Sequence, residues 1–252
     1  MPFAPHPDCL APDTDQLMAW RYTDLSKFLW LLERRTLHLC RLDRLEDTFE
    51  GTLPGCLITA VEAANSSWYN AETNFKQTLP ARIASMTRNL VFVNCWHVNE
   101  YESAAMWQLY GAQHGIAIQS TYGRIKRALK GFPGDVNIGL VRYIDFTKQT
   151  IDPYSVVSLA TTKRKSFEHE RELRILASPD PNDPKIDRKA LELGLPTTES
   201  IVVPIDPDEL IERVHISPAM PEWCRELVET LCRRYDLKQE VIHSGLYSRP
   251  ML

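Results

Sequence analysis

The chain has 252 residues, 44% of them hydrophobic and 25% charged, with a formal net charge of −4. Such a composition belongs to soluble globular proteins, and this length buries about three quarters of the surface an unfolded chain exposes. It gives no electrostatic case for tight nonspecific nucleic-acid binding, and no segment approaches the roughly 20 continuous apolar residues of a membrane span.

Residues 1–16, rich in Pro and Asp, read as a mobile arm, leaving 17–252 as one domain. The opening MPFAPHPDCLAPDTD has no basic stretch followed by an apolar core, so no secretory signal is expected. Cys9, Cys40, Cys56, Cys95, Cys224 and Cys232 show no CxxC spacing, which argues against structural zinc and for reduced thiols in a cytoplasm. Ala19 to Tyr22 reads as a short strand, and Thr23-Asp24 as a helix start. Leu25, Phe28, Leu29 and Leu32 then follow at helical spacing, before a second strand from Thr36 to Cys40. Residues 42–51 are too acidic and too short for a core element and read as a loop. A long helix is expected over roughly 53–79, carrying Trp68, Tyr69 and Phe75. Asn89 to Trp96 is the best candidate for a buried strand. Ser103 caps a helix that runs to Tyr110 and is stopped by Gly111. Gly115 to Gln119 alternates as a strand, and Thr121 starts a basic helix to Lys130. A turn at 131–134 leads into a strand from Ile138 to Ile144, and the proline-rich 178–185 is a surface loop. Strands at Glu199–Ile205, Val214–Ile216 and Val241-Ile242 flank a helix over Pro221–Tyr235, with Trp223, Leu227 and Leu231 as its inward line. Irregular interleaving of strands and helices predicts an α+β domain with a mixed, mostly antiparallel sheet flanked by helices.

Chemistry concentrates in Lys163 to Arg174. As a strand, this segment puts Glu170, Glu172 and Arg174 on one face, a site for a polar ligand bearing ribose or phosphate. As a helix, Arg164 and Glu168 form an ordinary solvated pair. Asp43, Glu46, Asp47 and Glu50 surround Phe49 in the acidic loop. That loop is either a solvated cap or a ligand-facing segment, in which Phe49 stacks a ring and Asp47 or Glu50 accepts hydroxyl protons. A hard-cation site in the same loop is a further option. His97 is either a general base or a satisfied structural residue at a strand end, and Trp107 and Tyr110 are either core or pocket wall. Arg124, Lys126, Arg127 and Lys130 form a basic helix edge, either solvated or in contact with a phosphate. The dinucleotide, P-loop, zincin and nucleophile-elbow motifs are all absent.

Taken in order, W-R-Y-T near residue 20, L-x-x-x-E-D-T-F-E-G, N-C-W-H, A-A-M-W-Q-L-Y-G-x-x-H-G-I-A-I, V-R-Y-I-D-F and K-x-K-S-F-E-H-E-R-E-L-R resemble an uncharacterised bacterial domain family. Its members carry Y-R, F-x-D-P-F-E, C-F-S, M-W-x-x-Y and E-x-E-W-R segments, and some lie near phage-defence genes. Thr48, Trp96-His97, Phe167 and Leu173 depart from that pattern, while Arg21, Asp47, Glu50, Glu170, Glu172 and Arg174 keep it. The order of an early strand Arg, a helix, a strand and a late Glu-x-Glu is also similar to the ADP-ribosyltransferase superfamily. That resemblance implies NAD as substrate with no metal required. Arg21 would grip a phosphate, and Tyr22, Asp47, Phe49, Glu50, Trp107 and Arg174 would help to bind. Glu172 would stabilise the ribosyl cation, with Glu170 taking the acceptor's proton; the alternative pairing is Glu170 with Glu168. It further implies a toxin or phage-defence effector acting on a protein or nucleic-acid acceptor. The competing classes are a metal-dependent nuclease built from Asp47, Glu50, Glu170, Glu172 and Lys165, and a non-catalytic, antitoxin-like binding module. The transferase reading requires Arg21, Asp47 or Glu50, Glu170 and Glu172 to line one cleft.

Overall fold

A computed structural model describes residues 6–66, 78–111, 114–132 and 134–248 of the chain. Asp24 begins the first helix by accepting the Lys27 N–H on its side chain (2.8 Å), between strand β1 (Met18–Asp24) and helix α1 (Leu25–Arg34). Arg35 ends that helix in the left-handed region (φ 49°) and turns the chain into β2 (Thr36–Arg41). The order continues through α2 (Gly55–Ser66), α3 (Leu79–Leu90), β3 (Phe92–Val98), α4 (Ala104–Tyr110), β4 (Gly115–Thr121), α5 (Tyr122–Ala128), β5 (Val136–Leu140) and β6 (Arg142–Ile144). Then come α6 (Val156–Ala160), β7 (Thr162–Arg164), a 3-10 turn (Lys165–Glu170), β8 (Glu172–Ala177) and α7 (Arg188–Glu192). The chain closes with β9 (Ser200–Pro204), α8 (Pro207–Leu210), β10 (Arg213–Ile216), α9 (Trp223–Arg234) and β11 (Glu240–His243).

Nine of these strands form one sheet, in the order β11-β10-β4-β1-β3-β2-β9, with β8 on the other edge of β3 and β5 beyond it. Only β10 and β11 pair in parallel within it, so the fold is α+β with a mixed, mostly antiparallel sheet flanked by helices. Strand alternation separates the two faces. Ala19, Ile116, Ile118, Phe92, Leu173 and Ile175 enter the main core under α1, α5 and α9, while Trp20 and Ala117 pack on the opposite face with Trp107 of α4.

The sheet is split at its centre. β8 pairs with β3 from Phe92↔Ala177 to His97↔Glu172. The other edge of β3 meets β1 only at Ala19↔Val98 and Trp20↔His97, and β2 only at Cys40↔Val93 and Arg41↔Phe92. Between these contacts β1 and β2, joined by α1, diverge and leave the Asn94 to Trp96 edge without a ladder partner.

Several sequence expectations need amendment. The helix expected over 53–79 is described over Gly55–Ser66 and does not run through Thr78, whose backbone is extended; Trp68, Tyr69 and Phe75 lie outside the described residues. A separate helix, capped by Thr78 with Pro80 in its first turn, runs to Leu90, so Asn89 is helical and β3 starts at Phe92. The strand expected over 138–144 is two strands in different sheets. On α9 the inward line is Cys224, Val228 and Cys232, whereas Trp223 is 64% exposed; cysteines here act as small apolar residues. The stretch 165–177 is part turn and part strand rather than one element. Of the N-terminal segment, residues from 9 to 17 lie along the domain, with Leu140 and Tyr122 N–H donating to the Leu10 and Leu17 carbonyls (2.8 and 2.9 Å).

Candidate functional site

A cleft of about 900 Å³ opens at the split. Its floor is core: Phe28, Leu31, Leu37, Trp96 and Ile118 line it. Side chains bind the polar edge that the missing ladder leaves open. Arg21 Nη1 donates to the Cys95 carbonyl (2.8 Å), Asn94 Nδ2 donates to the His38 carbonyl (2.9 Å), and Trp96 Nε1 donates to Asn94 Oδ1 (2.8 Å). By strand alternation Arg21 leaves β1 on the same side as Ala19, toward α1, and its guanidinium crosses into the split. Among the described residues no carboxylate lies within ion-pair distance of it. Burial holds the Arg21 pKa below its usual value, the state of a cation short of compensating charge.

At the other end lies a buried ionic cluster. Lys163 of β7 holds three carboxylates: Glu172 (2.8 Å), Glu50 (3.2 Å) and, by a short contact, Glu170. Arg174, fully buried, makes a two-pronged bond to Glu50 (2.7 and 2.9 Å) and meets Glu172 through Nε (2.8 Å). Glu50 reaches the cluster because its loop is fixed. Arg88 donates to the Thr48 and Glu50 carbonyls (2.8 and 2.7 Å), and Gly51 takes φ 68°, where a Cβ would lie 2.7 Å from Leu42 Cδ2. In the same loop, buried Asp47 accepts two bonds from Arg164 (2.6 and 3.1 Å), whose guanidinium stacks on exposed Phe49 at 4.2 Å.

Glu170 and Glu172 reach one ammonium from different elements. Glu170 ends the 3-10 turn, Glu172 begins β8, and Arg171 between them is left-handed (φ 43°). Burial opposes ionisation of Glu172, but Arg174 and Lys163 outweigh it and hold that carboxyl well below the usual range. Glu170 goes the other way, pushed up to about 7 by burial and by the neighbouring Glu172; Lys163 pulls down but is shared among three acids. Tyr110 donates to Glu170 Oε1 (3.2 Å), and its own pKa is raised by burial and by Glu170. Two adjacent carboxyls with pKa values driven apart can act as a proton carrier and a fixed negative charge.

Of the residues singled out from sequence, Arg21, Tyr22, Asp47, Glu170 and Glu172 border the cleft together, with Arg174 sealed behind Glu172. Phe49, Glu50 and Trp107 do not line it. Phe49 covers Arg164, Glu50 is sealed against Arg174, and Trp107 is buried behind Tyr22 at 5.1 Å between ring centroids. The wall position expected of Trp107 belongs to Tyr110 and Met106. Sequence reasoning did not find Lys163 as the hub or Asn94 as an edge clamp. Only the KRK run preceding the acids hinted at the former. Lys165, assigned to the nuclease alternative, is exposed on the 3-10 turn. Among the described residues no group of three or more His, Cys, Asp or Glu has the arrangement to hold a metal ion, and no helix is long and apolar enough to cross a membrane.

A smaller groove of about 550 Å³ lies between α9 and β11, where Arg225 and Glu229 pair with each other (2.9 Å). No protein-family model matches the chain, and no curated protein or solved structure is detectably similar to it.

Proposed function

We propose that the chain is an ADP-ribosyltransferase-like enzyme, or an NAD glycohydrolase, that breaks the nicotinamide–ribose bond of NAD in the central cleft. One observation carries the reading: the cluster is one cation short. Among the described residues Glu50, Glu170 and Glu172 share two cations, Lys163 and Arg174, so the unbalanced carboxyl is Glu170 on the cleft wall, which burial and Glu172 keep partly protonated near neutral pH while Glu172 stays ionised beside it. Positive charge developing on a ribose there meets a preorganised, poorly solvated carboxylate, which favours the transition state over the neutral sugar. Arg21, a cation without a carboxylate partner, supplies the complementary hold on a diphosphate. The cleft is at the upper end of ligand-pocket sizes, which run from about 300 to 1,000 Å³. Glu172 serves as the fixed charge, and Glu170 accepts the proton of the acceptor, whether water or a protein or nucleic-acid group. A toxin or phage-defence role belongs to the same reading, as does a cytoplasmic site of action.

The test is nicotinamide release from NAD by the wild-type protein and by Glu170→Gln and Glu172→Gln, with cellular RNA, DNA and protein supplied as acceptors. Release by the wild type is expected to fall about 100- to 10,000-fold in folded Glu170→Gln. No release with any acceptor, together with no rise in melting temperature on adding NAD, would sink the proposal. One feature favours a second reading, a non-catalytic binding module: every carboxylate in the cluster is already bonded to Lys163 or Arg174. On that reading Glu170→Gln loses stability and changes no reaction. The same bonds count against the metal-dependent nuclease, whose metals would compete with both cations for these oxygens.

A further inference from the structure

Glu170 and Glu172 share a face only because the chain reverses at Arg171, a left-handed conformation that costs a non-glycine residue roughly 1–2 kcal/mol. Several hydrogen bonds surround this kink, among them Arg171 Nη1 donating to Asn99 Oδ1 (3.2 Å) and Val141 N–H donating to the Glu172 carbonyl (2.9 Å). His97 Nδ1 lies 2.7 Å from the Glu170 carbonyl; a carbonyl only accepts, so Nδ1 carries the proton and donates. Val98 N–H donates to the Arg171 carbonyl (2.8 Å), Tyr143 accepts the Glu172 N–H on its hydroxyl (2.8 Å), and Arg171 N–H donates back to the Glu168 carbonyl (3.3 Å). Of these, only His97 grips Glu170 itself. His97 is also the cross-strand partner of Glu172, so one buried ring adjoins both acids. Burial lowers its pKa while the Glu170 carbonyl favours the protonated form; in either protonation state Nδ1–H remains a donor.

We propose that His97 is a positioning residue: its Nδ1–H holds the left-handed kink at Arg171 and thereby turns the Glu170 carboxyl onto Lys163 beside Glu172. Its effect on turnover rests on the NAD reading above; its effect on the Glu170 carboxyl does not. Lys163 from β7, Glu172 from β8 and Tyr110 from α4 face that carboxyl; Glu50 from the acidic loop and Arg174 from β8 act on it through Lys163 and Glu172, and His97 from β3 bonds the Glu170 backbone carbonyl. Releasing the kink separates Glu170 from Glu172 and admits water, so its titration moves down toward an ordinary glutamate.

The experiment compares His97→Ala with His97→Asn, whose side-chain amide can donate from nearly the same place but offers no basic nitrogen. Carbon-13 carboxyl NMR follows Glu170, identified by the signal lost in Glu170→Gln, and nicotinamide release from NAD follows turnover. In His97→Ala the Glu170 midpoint is expected to fall by at least about one unit. kcat should fall on the order of 100-fold, as misplaced groups cost, with KM little changed. His97→Asn should keep the midpoint and stay within about threefold of wild-type turnover. An unshifted midpoint in folded His97→Ala overturns the proposal. So does an equal loss of turnover in both variants with the midpoint intact, which would make His97 a base instead. If His97→Ala does not fold, the Asn variant decides alone: a displaced Glu170 midpoint in it overturns the proposal, and a retained one supports it. A shifted midpoint in His97→Ala with no NAD cleavage by the wild type would sink the NAD reading and leave the positioning role standing.

Discussion

The two ends of the cleft handle buried charge in opposite ways. At the carboxylate end, Arg174 and Glu50 are sealed from water and satisfied by each other, with Glu172 and Lys163 completing the set. At the Arg21 end, among the described residues, a half-buried guanidinium has one bond, to a backbone carbonyl, and no carboxylate. The first arrangement is built to stay as it is. The second leaves a cation uncompensated. Removing a member from each end should therefore fail differently. Arg174→Met leaves three carboxylates around one lysine, and breaking a buried pair in this way costs about 3–5 kcal/mol. A denaturant midpoint close to that of the wild type would mean that the cluster is wet and its charges are screened.

Arg21→Gln probes the other end. Only one hydrogen bond of the folded protein is lost, so stability should fall by no more than about 1.5 kcal/mol. NAD affinity should weaken by roughly 10- to 150-fold, since a hydrogen bond to a charged group contributes about 1.5–3 kcal/mol. Calorimetric titration of NAD into both proteins measures the second effect. If Arg21→Gln unfolds as readily as Arg174→Met, Arg21 is a strut and the contrast between the two ends disappears.

Glu170 stands between these extremes, inside the cluster but on the cleft wall. Its folded pKa of about 7 lies above the unfolded value of about 4.3, so the native state holds a proton that the unfolded chain has released. That contribution is complete below about pH 4.3 and is lost as pH rises through 7. Glu172, held low, works in reverse: its stabilisation is present above about pH 4.3 and is lost as pH falls through its folded value. Glu170→Gln should remove the decline between about pH 4.3 and 7 and leave the Glu172 acid limb intact. Melting curves across that range decide it. A variant as pH-sensitive as the wild type would assign the slope to another group.

Much of this arrangement is legible in the letters. Asp24 and Ser103 announce their helices, and the apolar alternation of Gly115 to Gln119 announces β4. Glu170 and Glu172 stand out by their alternation and Asp47 as one of four acids in a loop, whereas Arg21 is marked only by resemblance, to the bacterial domain family and to the ADP-ribosyltransferases. What the sequence hides is pairing that spans the chain. Glu50 and Arg174 are 124 positions apart, and nothing near either one states that the acid will be sealed rather than ligand-facing. Nor does alternation reveal a split sheet, because β1, β2 and β3 each look like complete strands while their ladders touch only at the ends. Trp223 misleads for a related reason: size marks a residue as apolar but does not say which face of α9 meets the core.

The smallest effect tests where the cluster stops. Asp47 is as buried as Glu50, yet its partner Arg164 sits at the rim, about one third exposed, stacked on Phe49 and lying 5.3 Å from the Phe167 ring centre. Arg164→Lys keeps the charge but gives up the planar fork and the stacking, which are what the site uses. The expected cost is about 1 kcal/mol, a fall of roughly 2–4 °C in melting temperature for a domain of this size. The Asp47–Arg164 pair shares no ion pair with Lys163 or Arg174 and meets Lys163 through the Phe167 ring, 4.8 Å from Nζ, so its loss should add to that of Glu170→Gln within about 0.5 kcal/mol in a double-mutant cycle. Coupling well beyond that would extend the cluster to the rim. Asp47 would then join the acids whose charge Arg174 and Lys163 must balance, and the deficit of one cation assigned to Glu170 would be shared along the whole wall.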